Sequence, residues 1–237
     1  MKQLVILAGA LLLSSGARGD GIVVQKIAGD VRVRQGVTEV WNVVTAGDAL
    51  RPHDTIRTGP DGSAVLVVHV EASGATKRVA LPSRVIVDMS DIRDLSQEEL
   101  MLKLAMEKVR ASSDEWRNDG LHLPNAAVVH GEDRAAGPPA KENDSQVGQL
   151  LLNGVRVLFD NGFYATTVLR VLEVFRMYPA FSAHFDNRLL LAQAMERANL
   201  KGEAVAEYGA MSRLEGLTPP QSRLVEARLE ALRADRH

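Results

Sequence analysis

The chain has 237 residues, 28 Lys plus Arg against 30 Asp plus Glu, a formal charge of −2 and 46% hydrophobic residues. It can bury a core and sits near the boundary between one domain and two, while its balanced charge supplies no positive field for a nucleic acid and favours no acidic partner. Cysteine is absent, which excludes disulfides, thiolate zinc sites, iron–sulfur clusters and cysteine nucleophiles together.

Residues 1–19 match the charged, apolar and small-residue zones of a secretory signal: Met1-Lys2-Gln3, an apolar run over 4–13, then Ser14-Ser15-Gly16-Ala17. Cleavage is expected after Ala17 or Gly19. About ten apolar residues span only about 15 Å of helix, half a hydrocarbon core, so this run does not predict a membrane anchor. With no Cys to acylate, a lipoprotein is excluded. No later run reaches the roughly 18 apolar residues of a spanning helix. The expectation is an exported, soluble, periplasmic protein.

Residues 22–90 predict a small all-β sandwich or barrel, because β-branched runs alternate with turn residues every eight to twelve positions or so. In Asp30-Val31-Arg32-Val33-Arg34 the alternation puts both valines on one face and the charges on the other. Ala64-Val65-Leu66-Val67-Val68 is apolar on both faces and reads as a central strand, and Pro60-Asp61-Gly62-Ser63 before it is turn chemistry.

At Ser96 the period changes. Ser96-Gln97-Glu98-Glu99 is a capping box that opens a connecting helix over 95–111, with Leu95, Leu102, Met106 and Val109 on one stripe expected to pack and Glu99–Lys103 as an outer ion pair. Residues 112–146 lose periodicity, gather acidic side chains and Pro, and predict a flexible acidic linker with an apolar island at 121–129. From 147 to 235 the pattern is helical, with helices expected over 147–159, 164–178, 185–198, 201–214 and 220–234. Asp160-Asn161-Gly162, Pro179, Asn199 and Thr218-Pro219-Pro220 separate them. Short breaks between amphipathic helices imply antiparallel hairpins in series. The fold class is therefore multidomain, an N-terminal all-β part followed by C-terminal all-α helical hairpins.

Little in the chain points to catalysis. Asp48, His53 and Asp54 lie close together, yet Asp at two successive turns is ordinary turn chemistry. His69, His122, His130 and His184 lack a second ligand at short spacing, so no metal is expected. No nucleophile elbow appears, and the scattered glycines lack the following helix of a phosphate cradle, so no cofactor is expected. The one candidate ligand site is a patch formed by Arg32, Arg34, Arg51 and Arg57, suited to an anionic glycan or lipid, although alternating charge along a strand also marks any solvated face.

Gly29-Asp30-Val31-Arg32-Val33, Trp41, and the run from Ala46 through Asp54-Thr55-Ile56-Arg57-Thr58-Gly59 to Gly62-Ser63-Ala64-Val65-Leu66 resemble the FecR domain family. The resemblance covers 22–89 and implies a small extracytoplasmic β-domain. The helical segment and membrane-crossing helix that the signalling members carry before it are not seen in this sequence. Gly162, Tyr164, Thr167, Val171 and Pro179, then Leu191, Ala192, Ala194, Ala204 and Tyr208, are similar to tetratricopeptide repeats, with Thr167 where that family prefers Ala. Together the resemblances imply a non-enzymatic periplasmic scaffold or adaptor that binds envelope proteins of a cell-wall, outer-membrane or flagellar assembly. Such a protein could also touch peptidoglycan or another glycan, or form a homo-oligomer. A FecR-like, receptor- or ligand-responsive regulator is the alternative, and a hydrolase using Asp48, His53 and Asp54 is a third.

Overall fold

A computed structural model describes residues 21–70, 75–118 and 141–234. The expected export signal, the apolar island at 121–129 and the core of the expected linker lie outside the described residues.

The N-terminal part holds eight strands: β1 (Ile22–Ala28), β2 (Val31–Arg34), β3 (Trp41–Val43), β4 (Ala49–Leu50), β5 (Thr55–Thr58), β6 (Ser63–Val70), β7 (Ala75–Leu81) and β8 (Ile86–Asp88). They form two four-stranded antiparallel sheets, ordered β4-β1-β6-β7 and β3-β2-β5-β8. Alternation drives the packing. Val31 and Val33 of β2, Ile56 of β5 and Val87 of β8 meet Ile22 and Val24 of β1 and Leu66 and Val68 of β6 in one buried cluster, so the sheets face each other as a sandwich. β6 lies inside its sheet as expected, but only one of its faces is fully buried, Val65 and Val67 being half-covered.

Two turns lock the sandwich. Gly29 has φ +64°, and a side chain there would meet the Asp61 carbonyl oxygen at 2.2 Å. Gly62 in turn lies so close to the Asp30 carbonyl that a Cβ would approach it to 2.0 Å, while the Gly59 amide donates to that same oxygen at 2.8 Å. Gly29 and Gly62, two of the glycines that carry the FecR resemblance, are thus required by backbone contact.

Among the described residues six α-helices follow: α1 (Gln97–Asn118), α2 (Lys141–Asp160), α3 (Tyr164–Met177), α4 (Phe185–Arg197), α5 (Lys201–Met211) and α6 (Pro219–Ala234), with 3-10 turns at Met89–Asp91 and Pro179–Ala183. The Glu99 amide donates to Ser96 Oγ at 3.1 Å, the expected cap, and Lys103 pairs with Glu99 at 3.5 Å. Each helix from α2 to α5 packs on the next in sequence. Small residues permit the close crossings: Ala192, Ala194 and Ala204 have no exposed surface. The α2–α3 turn closes as expected at Gly162, which has φ +81°, with the Phe163 amide bonded to the Leu158 carbonyl at 3.0 Å.

Three expectations need correction. The described ends of the expected linker are helical, since α1 runs on to Asn118 and α2 begins at Lys141. The stripe expected to pack on α1 is the outward one: Leu102, Met106 and Val109 are exposed, and Leu100 and Leu104 on the opposite side enter the helical core with Val168 and Val171. Nor do the two parts stand apart, because Val157, Leu158 and Phe163 belong to the sandwich's own buried cluster. α2 lies along β8, the edge strand of the second sheet, with Gly154 against the Ile86 carbonyl, and so covers an edge that would otherwise be open to pairing.

Candidate functional site

The register of the second sheet builds the arginine patch. Arg32 pairs directly with Arg57 across β2 and β5, and Arg34 pairs with Trp41 across β2 and β3. Residues opposite each other, or two apart on one strand, share a face, so Arg32, Arg34, Arg57 and Trp41 form one cluster on the side away from the core. The guanidinium of Arg34 lies 5.5 Å, and that of Arg57 5.3 Å, from the Trp41 ring centre, within cation–π range. Arg51 follows β4 of the other sheet and is not part of this face.

The three cations differ in what already neutralises them. Arg32 pairs with Asp30 at 2.9 Å. Arg34 donates from Nη2 to Thr55 Oγ1 at 3.3 Å, and its buried Nε has no hydrogen-bond partner. For Arg57 no carboxylate partner occurs among the described residues. Stacking on Trp41 holds this guanidinium in place while leaving its in-plane N–H donors for an oxyanion. Beside the cluster the β2–β3 connection raises apolar side chains into solvent. Val37 is fully exposed, and Val40 and Val43 are 64% and 74% exposed.

The same face continues inward as a polar chain. Thr55 Oγ1 donates to Asp88 Oδ1 at 2.5 Å, and the other oxygen of Asp88 receives Nη2 of Arg170 from α3. Arg170 also gives Nε to Asp91 Oδ2 and Nη1 to Glu173 Oε2, each at 2.5 Å. Burial pushes the Asp91 carboxyl up to about 6, against the lowering pull of Arg170. Burial also opposes the charge on Arg170, but its three carboxylates outweigh this and raise its pKa. Three carboxylates share one guanidinium here, and this cluster joins the sandwich to the helices.

Beyond it, the 3-10 turn, α1 and α3 enclose a cleft of about 360 Å³ whose lining includes Arg93, Lys103, Glu107, Arg110 and Arg170. Glu107 accepts from Arg176 at 2.7 Å and pairs with Arg110 at 3.5 Å. Met106 stands at the cleft and begins the exposed apolar face of α1, where Met101, Leu102 and Val109 follow.

The other sequence candidates are turn residues. Asp48 Oδ2 accepts from the Thr45 amide and Asp54 Oδ2 from the Arg51 amide, both at 2.8 Å, while His53 is exposed on the turn between the two aspartates. No three metal-ligating side chains converge among the described residues, and no described helix is long and apolar enough to cross a membrane. Trp41 and Arg170 were missed from the sequence. An Arg inside the apolar run Val168-Leu169-Arg170-Val171-Leu172 was the available signal for the second. Trp41 gave none, because its place beside Arg34 depends on strand register.

No protein-family model matches the chain, and neither the curated proteins nor the solved structures contain a match. The FecR and tetratricopeptide resemblances therefore rest on the residues quoted for them.

Proposed function

We propose that this protein is a non-enzymatic adaptor of the cell envelope, exported to the periplasm, in which a FecR-like sandwich and tetratricopeptide-like helices form one rigid body that binds another protein through α1. The observation that carries this is the outward face of α1, where Met101, Leu102, Met106 and Val109 are all at least 48% exposed. On a helix these positions, with Ala105, fall on one side, opposite Leu100 and Leu104. A face of this kind, about 12 Å long from Met101 to Val109 at the helical rise, suits an amphipathic helix of a partner laid alongside it. Methionine adapts to an incoming surface, and the neighbouring cleft offers charges of both signs to fix the partner's register.

The test is a photo-crosslinking amino acid placed at Leu102 or Met106 in cells, with Asn42 on the far side of the sandwich as the control position. A discrete adduct with a single envelope protein from both α1 positions, lost when Val109→Asp is added and absent from position 42, is the expected result. Adducts from all three positions alike, or from none, would overturn the reading.

A further inference from the structure

A different surface, independent of α1, points to a second binding activity. We infer that the β2–β3 hairpin and the arginine face beside it form a docking site for an anionic phospholipid bilayer surface.

Two features meet at this place. The first is apolar exposure that no described element covers: Val37 stands fully in solvent at the hairpin tip, and Val40 and Val43 are mostly exposed on the way back. The second is a set of cations not fully neutralised by their surroundings. Arg32, Arg34 and Arg57 face outward around Trp41, and Asp30 is the one acidic side chain paired with them among the described residues. Glu39, exposed in the hairpin itself, is the opposing charge.

Either feature alone would be ordinary, since single exposed valines and solvated arginines occur on most sheets. Their order along the strand is what selects the ligand. Val37 lies three residues beyond Arg34, so its side chain projects at most about 10 Å past the guanidiniums. Interfacial protein elements bury apolar groups about 5–10 Å into the boundary between headgroups and acyl chains. With Val37 at that depth, Arg34 and Trp41, opposite each other across β2 and β3, lie at the level of the phosphates, where aromatic rings concentrate in membrane interfaces, and Val40, one residue beyond Trp41 toward the tip, lies between the two levels. A soluble polyanion would use the arginines but has no need of the valines, and a neutral bilayer would use the valines but not the arginines.

The experiment is co-sedimentation of the full chain with vesicles of phosphatidylcholine alone or mixed with phosphatidylglycerol, at low and high salt, alongside a soluble carboxylated glycan as competitor. Val37→Asp and Arg57→Gln are compared with the parent, and thermal melts check that both variants remain folded. The expected result is binding to the mixed vesicles only, weakened about fivefold by Arg57→Gln, weakened about tenfold by Val37→Asp, and reduced by salt. Three results would overturn the inference: no binding to mixed vesicles, equal binding to both vesicle types, or binding that Val37→Asp leaves intact while the soluble glycan abolishes it. The last would make the face an anionic-polymer site.

Discussion

Gly154 is a sharp probe of whether sandwich and helices form one body. A methyl group on its Cα would lie 1.9 Å from the Ile86 carbonyl oxygen and 2.9 Å from its carbon. Both obstructing atoms are backbone, so no side chain can swing aside, and restoring contacts of about 3.5 Å means lifting α2 off β8. In the middle of a free helix the same change is favourable by about 1 kcal/mol, because Ala has the higher helix propensity. Overpacking costs about 1–3 kcal/mol, with the upper end applying where backbone meets backbone, so Gly154→Ala is expected to lose about 2 kcal/mol net. Should α2 undock altogether, exposure of Val157, Leu158 and Phe163 adds about 1.5–3 kcal/mol for each side chain. Urea unfolding followed by far-ultraviolet circular dichroism measures this, with Gly209→Ala as the internal control, since nothing lies within 4 Å of a Cβ there. The control is expected to be neutral or stabilised by up to about 1 kcal/mol. A Gly154→Ala protein as stable as the parent, or more so, would refute the shared core and restore two tethered modules.

Two further outcomes follow from buried polar groups. Thr58 Oγ1 donates to the Pro82 carbonyl at 2.6 Å and accepts from the Val85 amide at 3.0 Å, so Thr58→Val, nearly the same shape, is expected to cost about 2 kcal/mol by stranding both partners; an unchanged urea midpoint would contradict it. Asp91 has its carboxyl raised from 3.8 to about 6, so between these values the folded protein holds a proton that the unfolded chain has released. Its contribution to stability is therefore full below pH 3.8 and lost as the pH rises through about 6. Asp91→Asn, neutral at every pH, is expected to gain on the parent by up to about 3 kcal/mol between about pH 4 and pH 7.5, and a difference independent of pH would show that Arg170 holds the carboxylate fully ionised.

The elements legible in the sequence were those whose signal is local. The helix starts at Ser96 and the stop at Gly162 rest on capping and on a positive φ, and strand β2 declares itself through Val31 and Val33. Strand β5, which lies inside the second sheet, has no clear alternation of apolar and polar residues to mark it. Its Thr55 and Thr58 look polar, yet they are buried because Asp88, Pro82 and Val85 satisfy their hydroxyls across the fold, and partners 24 to 33 residues away leave no short-range trace. The α1 stripe failed for a different reason: the helix is apolar on both sides, and periodicity cannot say which side meets the core. Of the arginine patch, the alternation on β2 was sufficient for Arg32 and Arg34, but joining Arg57 and Trp41 to them and removing Arg51 required the register of three strands.

On that register the two proposed surfaces would act at a fixed orientation. The second sheet carries the exposed hairpin at its β3 edge and α2 at its β8 edge, about 14 Å apart across three strand spacings. Between them the hydrogen bonds from Arg34 to Thr55, Asp88 and Arg170 run across the sheet and into α3, and α1 in turn packs on α3. Every step is a direct contact between described elements, so a bilayer bound at Val37 and a partner helix bound at Met106 would be held by one body. Weakening the Arg170 cluster should therefore loosen the relation between the two sites before it abolishes either one. In a tethered pair of modules the same change would leave that relation untouched.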